Sequence, residues 1–178
     1  SQDTSALTKS AWAMARVIRS GGEVERSAVA INPLISRIVE SMEATHDDAV
    51  ITMDSSQTSV ANLNVLAWPL LDSVIRNLIS NAIKHNDKDW KKVHVEVEER
   101  PSTVEIHVAD NGPGIPESRR EAIFAEGETR LDDSSMGIGL YLVRLITGRY
   151  EGEVWVEDNE PEGSIFTVQL AKADAEEG

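Results

Sequence analysis

The amino-acid sequence predicts an α/β fold, a two-layer sandwich in which helices cover one face of a β-sheet. Apolar and polar residues alternate over residues 93–99 and again over 104–109, and the Pro-Ser pair between them indicates a hairpin. Residues 32–44 and 68–85 instead repeat their apolar side chains at helical spacing. Strands with one buried face and helices with one apolar face bury these surfaces by packing together.

The first segment of the chain is predicted to be a separate amphipathic helix. Residues 4–19 carry apolar side chains on one face, Gly21-Gly22 ends the helix, and a polar connector follows over residues 23–28. The predicted division is an N-terminal helix and linker over residues 1–29, a main domain over residues 30–173 and a flexible tail over residues 174–178.

The main domain is predicted to alternate helices and strands. Asn32 is expected to cap its first helix, with Pro33 in the first turn. The other predicted elements are strands at residues 50–53 and 63–66, a short helix near 117–124, a helix over about 137–150, strands at 153–157 and 164–170, and a turn at 158–163.

Composition excludes several classes of function. The 178 residues contain no cysteine, so disulfides, thiolate zinc sites and cysteine nucleophiles are excluded. The formal charge of −14 argues against nucleic-acid binding and suits either a high-salt habitat or an ordinary acidic protein. No apolar run reaches the ~18 residues of a membrane span, and no signal peptide is evident. We therefore expect a cytoplasmic domain without direct membrane contact. Membrane attachment of a longer parent protein is compatible with this expectation.

One face of the predicted helix over residues 68–85 carries polar side chains suited to phosphate chemistry. Asn77, Asn81, Lys84 and His85 fall within an arc of about 100° at helical spacing. Carboxamide oxygens can coordinate Mg²⁺, an ammonium group can bind phosphate oxygens, and an imidazole can donate a hydrogen bond. The alternative interpretation is that these polar residues form the solvent-exposed face of a surface helix and bind no ligand.

The predicted strand over residues 104–109 runs into an acidic glycine turn. Asp110 offers a carboxylate, which only accepts hydrogen bonds and so suits the amino group of adenine better than the carbonyl of guanine. Gly112 and Gly114 allow positive φ and a close approach of backbone to a flat base. A tight surface turn without a ligand is the alternative interpretation.

A second glycine turn precedes the helix predicted over residues 137–150. Gly137 and Gly139 can expose backbone N–H groups to phosphates at that helix's N-terminus. The turn lacks the third glycine of a dinucleotide fingerprint and does not follow a strand, which argues against a Rossmann fold. The polar loop before it, roughly residues 125–136, has the composition of a mobile lid.

In this order, the three blocks resemble the asparagine box and the two glycine boxes of the Bergerat-fold ATP-binding superfamily. More narrowly, they resemble the catalytic ATP-binding domain of two-component sensor histidine kinases. Ile123-Phe124 is similar to the phenylalanine box, and residues 163–168 are similar to the closing glycine-threonine strand. The resemblance covers about residues 30–171 and implies a mixed, mostly antiparallel sheet with helices on one face.

The resemblance also implies roles for individual residues, with ATP and Mg²⁺ as cofactors. Asn77 and Asn81 would hold the metal and phosphates, and Lys84 joins them as the third residue of the catalytic set. Asp110 would bind the adenine amino group. The other implied nucleotide contacts are His85, Gly112, Gly114, Gly137, Ile138, Gly139, Leu140 and Thr167, the last supporting the adenine end.

The implied activity is transfer of the ATP γ-phosphate to a histidine outside this chain. Asn77 stands where gyrase-like ATPases carry a water-activating glutamate, so transfer to another acceptor is favoured over hydrolysis. His46-Asp47 lacks the Pro or Asn that follows a phosphoacceptor motif, and His94 and His107 are interpreted as ordinary surface residues. The acceptor is therefore expected elsewhere.

Partners and alternatives follow from the same resemblance. The implied partners are a dimerisation and phosphoacceptor domain and a response regulator, and the first predicted helix is interpreted as the end of a truncated dimerisation helix. Two other functions stay open. One is a serine kinase of the anti-sigma type, and the other is a nucleotide-sensing interaction module without catalysis.

Overall fold

The computed structural model describes residues 26–54, 63–67, 70–125, 136–149 and 151–173. The predicted first helix, the tail and most of the predicted lid lie outside the described residues. The elements in chain order are β1 (Ser27–Ala30), α1 (Ile31–Glu43), β2 (Ala49–Asp54), β3 (Asn64–Ala67), α2 (Leu71–Lys84), β4 (Lys91–Glu99), β5 (Thr103–Asp110), 3-10 turns (Glu117–Arg119 and Ala122–Phe124), α3 (Met136–Arg149), β6 (Glu153–Asp158) and β7 (Ser164–Ala171).

The main sheet has five strands in the order β2-β4-β5-β7-β6. Strands β4, β5, β7 and β6 pair antiparallel with their neighbours, and β2 joins β4 in parallel. The predicted hairpin at Pro101-Ser102 is formed by β4 and β5. The prediction of a mixed, mostly antiparallel sheet is therefore confirmed.

One face of this sheet, the core face, is covered by the three helices. Helix α1 packs against β2, α2 against β4 and β5, and α3 against both α2 and β6. The central strands supply the core face with side chains that are at most 4% exposed: Val93, Val95, Val97, Val104, Ile106, Val108, Phe166, Val168 and Leu170. The predicted two-layer sandwich is confirmed, and the opposite face of the sheet, the outer face, carries the alternate residues.

The N-terminal edge of the domain differs from the sequence prediction. Helix α1 begins at Ile31, its capping position is Ala30, and no side chain caps it, so the prediction that Asn32 is the cap is wrong. The chain passes directly from β1 into α1, and Ile31 N donates instead to Leu63 O at 3.0 Å.

The predicted connector over residues 23–28 overlaps a strand. Ser27 and Ala28 belong to β1, which pairs antiparallel with β3 in a separate two-stranded sheet. The predicted boundary between residues 29 and 30 therefore falls within a hydrogen-bonded strand. No helix in the described part of the chain combines the length and the apolar character needed to cross a bilayer.

Candidate nucleotide-binding site

Helix α2 buries one face and turns its amide side chains away from the sheet. Leu78 and Ile79 are fully buried, whereas Asn77 and Asn81 are only partly exposed. Asn77 Nδ2 donates to Ser73 O at 2.8 Å, one turn back along the helix. Its Oδ1 is therefore the atom presented to the neighbouring helix α3.

The amide of Asn81 carries an unused donor. Its Nδ2 is buried and has no hydrogen-bond partner among the described residues. A buried donor without an acceptor costs about 1–3 kcal/mol, so such an atom points to a ligand or a bound water. Lys84 and His85 follow at the C-terminal end of α2, where Lys84 is exposed and His85 is half-buried.

Asp110 ends β5 with its carboxylate on the core face. The residue is only 8% exposed, and its Oδ1 accepts hydrogen bonds from Gly112 N at 2.8 Å and Ser164 N at 3.3 Å. No described residue donates to Oδ2, which leaves that oxygen for an external donor. Burial raises the pKa of Asp110 above its ordinary value, and the two backbone donors oppose this rise.

Side chains at the two glycines after Asp110 would be crowded, and at Gly114 the backbone would also be strained. A Cβ at Gly112 would lie 3.0 Å from Asp110 Oδ1 and 3.4 Å from His85 O, at the end of α2. Gly114 has a φ of +78°, and a Cβ there would lie 3.3 Å from Gly163 O. The acidic turn, residues 110–116, is therefore packed between α2 and the start of β7.

A pair of asparagines that the sequence analysis did not single out joins the acidic turn to α2. Asn86 is 5% exposed, and its Nδ2 donates to Asn111 Oδ1 at 2.6 Å. Asn111 Oδ1 also accepts from Lys92 N at 2.8 Å. Because these bonds use the Asn111 oxygen internally, the residue fixes the position of Asp110 relative to the amide helix.

The second glycine turn approaches α2 at Asn77. Gly137 and Ile138 belong to the first turn of α3, and a Cβ at Gly139 would lie 3.0 Å from Asn77 Oδ1. Leu140 is 1% exposed with its side chain in the core, so only its backbone remains for a ligand contact. Both glycine turns therefore approach α2, the acidic turn at its C-terminal end and Gly139 at Asn77.

The structure corrects the prediction for Thr167. In β7, Phe166 pairs with Val108 on the core face, whereas Thr167 pairs with His107 on the outer face. The Thr167 hydroxyl lies 2.8 Å from His107 Nδ1. The prediction that Thr167 supports the adenine end is therefore wrong, because its side chain points away from Asp110.

Ser164 is the residue of β7 that contacts Asp110. It is 3% exposed, and its backbone N–H supplies the second donor to Asp110 Oδ1. Sequence alternation shows only that Ser164 and Thr167 face opposite sides, because they are three positions apart on a strand. The register decides between them: Phe166 pairs with Val108 on the core face, and Ser164, two residues before Phe166, shares that face.

His46 has a local structural role. Its Nδ1 donates to Met42 O at 2.9 Å, at the C-terminal end of α1. Met42 O also accepts from Thr45 N at 3.2 Å, so the imidazole adds a further donor to this carbonyl at the helix end.

Gly139→Ala is expected to weaken binding of the ATP phosphates while sparing adenine. The new methyl group would lie 3.0 Å from Asn77 Oδ1, so the amide has to move from its place between α2 and α3. We expect about a tenfold loss in Mg-ATP affinity by calorimetry, equivalent to about 1.4 kcal/mol. Adenosine binding should change less than twofold, and an equal loss for both ligands would contradict this role.

Comparisons with known proteins agree with the geometry. A family model described as histidine kinase-, DNA gyrase B- and HSP90-like ATPase matches residues 68–174. The sensor histidine kinase DpiB of Escherichia coli (strain K12) is 38% identical over 114 residues, which cover 58% of this chain and 21% of DpiB. The chain therefore spans about a fifth of that relative's length.

Solved structures share the fold. The catalytic domain of histidine kinase ThkA superposes with a TM-score of 0.71 at 26% identity, covering 84% of this chain and 99% of that domain. ThkA in complex with the response regulator TrrA gives a TM-score of 0.71 at 24% identity, covering 96% of this chain and 49% of that one. From the family match over most of its length, this chain belongs to the histidine kinase-, DNA gyrase B- and HSP90-like ATPases.

Proposed function

We propose that this chain is the ATP-binding catalytic domain of a sensor histidine kinase, which binds Mg-ATP and transfers its γ-phosphate to a histidine outside the chain. The observation that carries the proposal is a pair of side-chain atoms left for external partners, one at the end of β5 and one on the polar face of α2. Asp110 Oδ2 lacks a donor and Asn81 Nδ2 lacks an acceptor among the described residues. An adenine amino group and a phosphate oxygen supply these partners.

Adenine recognition would rest on Asp110. Because Oδ1 is held by two backbone donors, Oδ2 is the oxygen left to accept from the adenine amino group. Guanine presents a carbonyl at the same ring position, which a carboxylate repels. Gly112 and Gly114 keep the turn free of side chains, so that the backbone can lie close to the base.

The residues present also fit Mg²⁺ and the phosphates. Asn77 Oδ1 is a hard oxygen ligand directed away from its own helix, while Asn81 Nδ2 is a donor suited to a phosphate oxygen. Lys84 adds a positive charge one turn further along α2. Bound Mg²⁺ would neutralise charge on the β- and γ-phosphates.

The chemical contribution of these residues is positioning. Phosphoryl transfer needs the γ-phosphate held in line with the acceptor and its charge neutralised, with little covalent participation by the protein. Asn77 occupies the α2 position next to Gly139 and cannot take a proton from water, because a carboxamide is not a base. Transfer to an external nucleophile is therefore favoured over hydrolysis.

The partners are part of the proposal. The phosphoacceptor histidine would come from a dimerisation domain of the same or a partner chain, and a response regulator would receive the phosphate. ThkA, which has this fold, is described in complex with the response regulator TrrA. We also propose a cytoplasmic location for the domain, where ATP is present.

The chemistry of the phosphorylated product tests the proposed function. The full-length protein, together with the phosphoacceptor domain where that domain belongs to a partner chain, is incubated with γ-labelled ATP, and the labelled product is treated with acid. Acid-labile label identifies phosphohistidine and supports the proposal. Acid-stable label identifies phosphoserine and favours a serine kinase of the anti-sigma type, and the absence of label favours a nucleotide sensor without catalysis.

Asn81→Ala is expected to lower the phosphotransfer rate about 10- to 100-fold, because one hydrogen bond to a charged group is worth about 1.5–3 kcal/mol. Adenosine affinity should change little, since Asp110 lies in a different element. Ser80→Ala, at the preceding and partly exposed position of α2, serves as the matched control. Equal transfer rates for Asn81→Ala and Ser80→Ala would remove Asn81 from the phosphate site.

A further inference from the structure

A compact group of metal-ligating side chains lies on the outer face of the sheet, away from the helices. Glu98 of β4 is directly opposite Glu105 of β5, and His107 is two residues further along β5. Glu98 Oε2 and Glu105 Oε2 each lie 3.4 Å from His107 Nε2. The three ligand atoms all lie within 4.8 Å of one another.

We propose that Glu98, Glu105 and His107 form a binding site for a borderline divalent transition metal such as Zn²⁺. In a tetrahedral zinc site, bonds of about 2.0–2.1 Å place neighbouring ligand atoms about 3.3–3.4 Å apart. The two nitrogen-to-oxygen distances of 3.4 Å have this value. Three protein ligands would leave a further coordination position for water.

The imidazole is held in the orientation that a metal ligand requires. His107 Nδ1 lies 2.8 Å from the hydroxyl of Thr167, a residue that is fully buried. When Nδ1–H donates to this hydroxyl, Nε2 carries the lone pair and presents it to the two carboxylates. Metal-bound histidines are fixed in this way by a partner on their second nitrogen.

One carboxylate is held in a similar way. Glu105 Oε1 accepts a hydrogen bond from Gln169 Nε2 at 3.1 Å, and the Glu105 side chain is only 11% exposed. Its Oε2 is therefore the oxygen directed to Glu98 and His107. Because these ligands belong to neighbouring strands of the sheet, they do not depend on a loop for their relative positions.

A positive charge already occupies the space between the carboxylates. Arg100 Nη2 lies 3.0 Å from Glu98 Oε2 and 3.2 Å from Glu105 Oε2. Arg100 follows β4 and its side chain is 48% exposed, so it can move into solvent when another cation arrives. The imidazole ligand favours Zn²⁺, Ni²⁺ or Cu²⁺ over Mg²⁺, which separates this site from the Mg-ATP site.

Calorimetric titration of the nucleotide-free protein with ZnCl₂ tests the proposal. We expect one high-affinity ion per chain, at least tenfold weaker binding in His107→Gln and in Glu98→Gln, and tighter binding in Arg100→Gln, which removes the competing cation. His94→Gln is the matched control, because His94 lies on the same face of β4 but bonds to Thr52 Oγ1 at 2.8 Å. This control should retain wild-type affinity.

Several results would overturn the site. The proposal fails if His107→Gln or Glu98→Gln binds zinc with wild-type affinity. It also fails if Arg100→Gln binds zinc more weakly, or if His94→Gln loses binding. Melting curves of the variants without metal distinguish lost ligation from lost folding, and Glu98→Gln guards against misfolding because the Glu98 side chain is 36% exposed. A Zn²⁺-dependent rise in melting temperature, absent from Glu98→Gln, is the independent readout.

Discussion

Replacing Asp110 with asparagine is expected to weaken ATP binding about 100-fold while the protein remains folded. Asparagine has the same shape, but it can satisfy the backbone donors of Gly112 and Ser164 only by placing its oxygen at the Oδ1 position. In the proposed binding mode its NH₂ group would then face the adenine amino group, donor against donor. Losing a bond to a charged acceptor and leaving a buried donor unpaired costs about 3 kcal/mol, which is about a factor of 100 in affinity.

Calorimetry with ATP and GTP measures both parts of this prediction. Wild-type protein should prefer ATP, and Asp110→Asn should lose most of that preference because the carbonyl of guanine can accept from the new NH₂ group. Glu96→Gln, an exposed carboxylate on the outer face of β4, controls for the lost charge and should bind ATP normally. An Asp110→Asn protein with unchanged ATP affinity would remove the adenine assignment and, with it, the present view of the pocket.

The sequence was sufficient for the features of the site that depend on local order along the chain. Amides at helical spacing predict that Asn77 and Asn81 share a face of α2, and the structure places them so. The strand predicted over residues 104–109 runs into Asp110, and Asp110 is the last residue of β5, the central strand of the sheet. These predictions succeed because the period of a helix or strand fixes which neighbours in sequence face the same side.

Features that depend on pairing between distant segments were not predictable in the same way. The bond between Asn86 and Asn111 joins two turns whose separation in sequence gives no sign of contact. The family resemblance does not determine which residues of β7 share a face with Asp110, and the structure places Thr167 opposite His107 on the other face. Which residues of a strand share a face follows from alternation along that strand. Which of the two faces of β7 meets Asp110 depends on the register between the strands.

The fold shows the same division between local and distant information. The long alternating strands β4 and β5 were predicted to within two residues at each end. Strand β1 was missed because its four residues, mostly exposed, have no alternation of buried and exposed positions to detect. Its existence depends on pairing with β3, more than thirty residues later in the chain.

Gly163→Ala is expected to destabilise the domain by about 3–5 kcal/mol, which is large for one methyl group. Gly163 has a φ of +109°, which residues with a side chain rarely adopt. A Cβ added there would lie 1.9 Å from Asp110 O. The obstacle is backbone, so it cannot rotate aside. We expect the melting temperature to fall by about 10 °C, at about 2–4 °C per kcal/mol for a chain of this size.

Gly148→Ala is the matched control, because the same chemical change is made where nothing obstructs it. Gly148 lies within α3, and an added Cβ would have no atom within 4 Å. Alanine is favoured over glycine in a helix by about 0.5–1 kcal/mol, so this variant should be slightly more stable than wild type. Similar losses in both variants would mean that glycine content, and not the contact between Gly163 and Asp110, determines stability. ATP should also fail to stabilise Gly163→Ala, because the shift that relieves the clash moves the main chain of Asp110, whose carboxylate we propose to bind adenine.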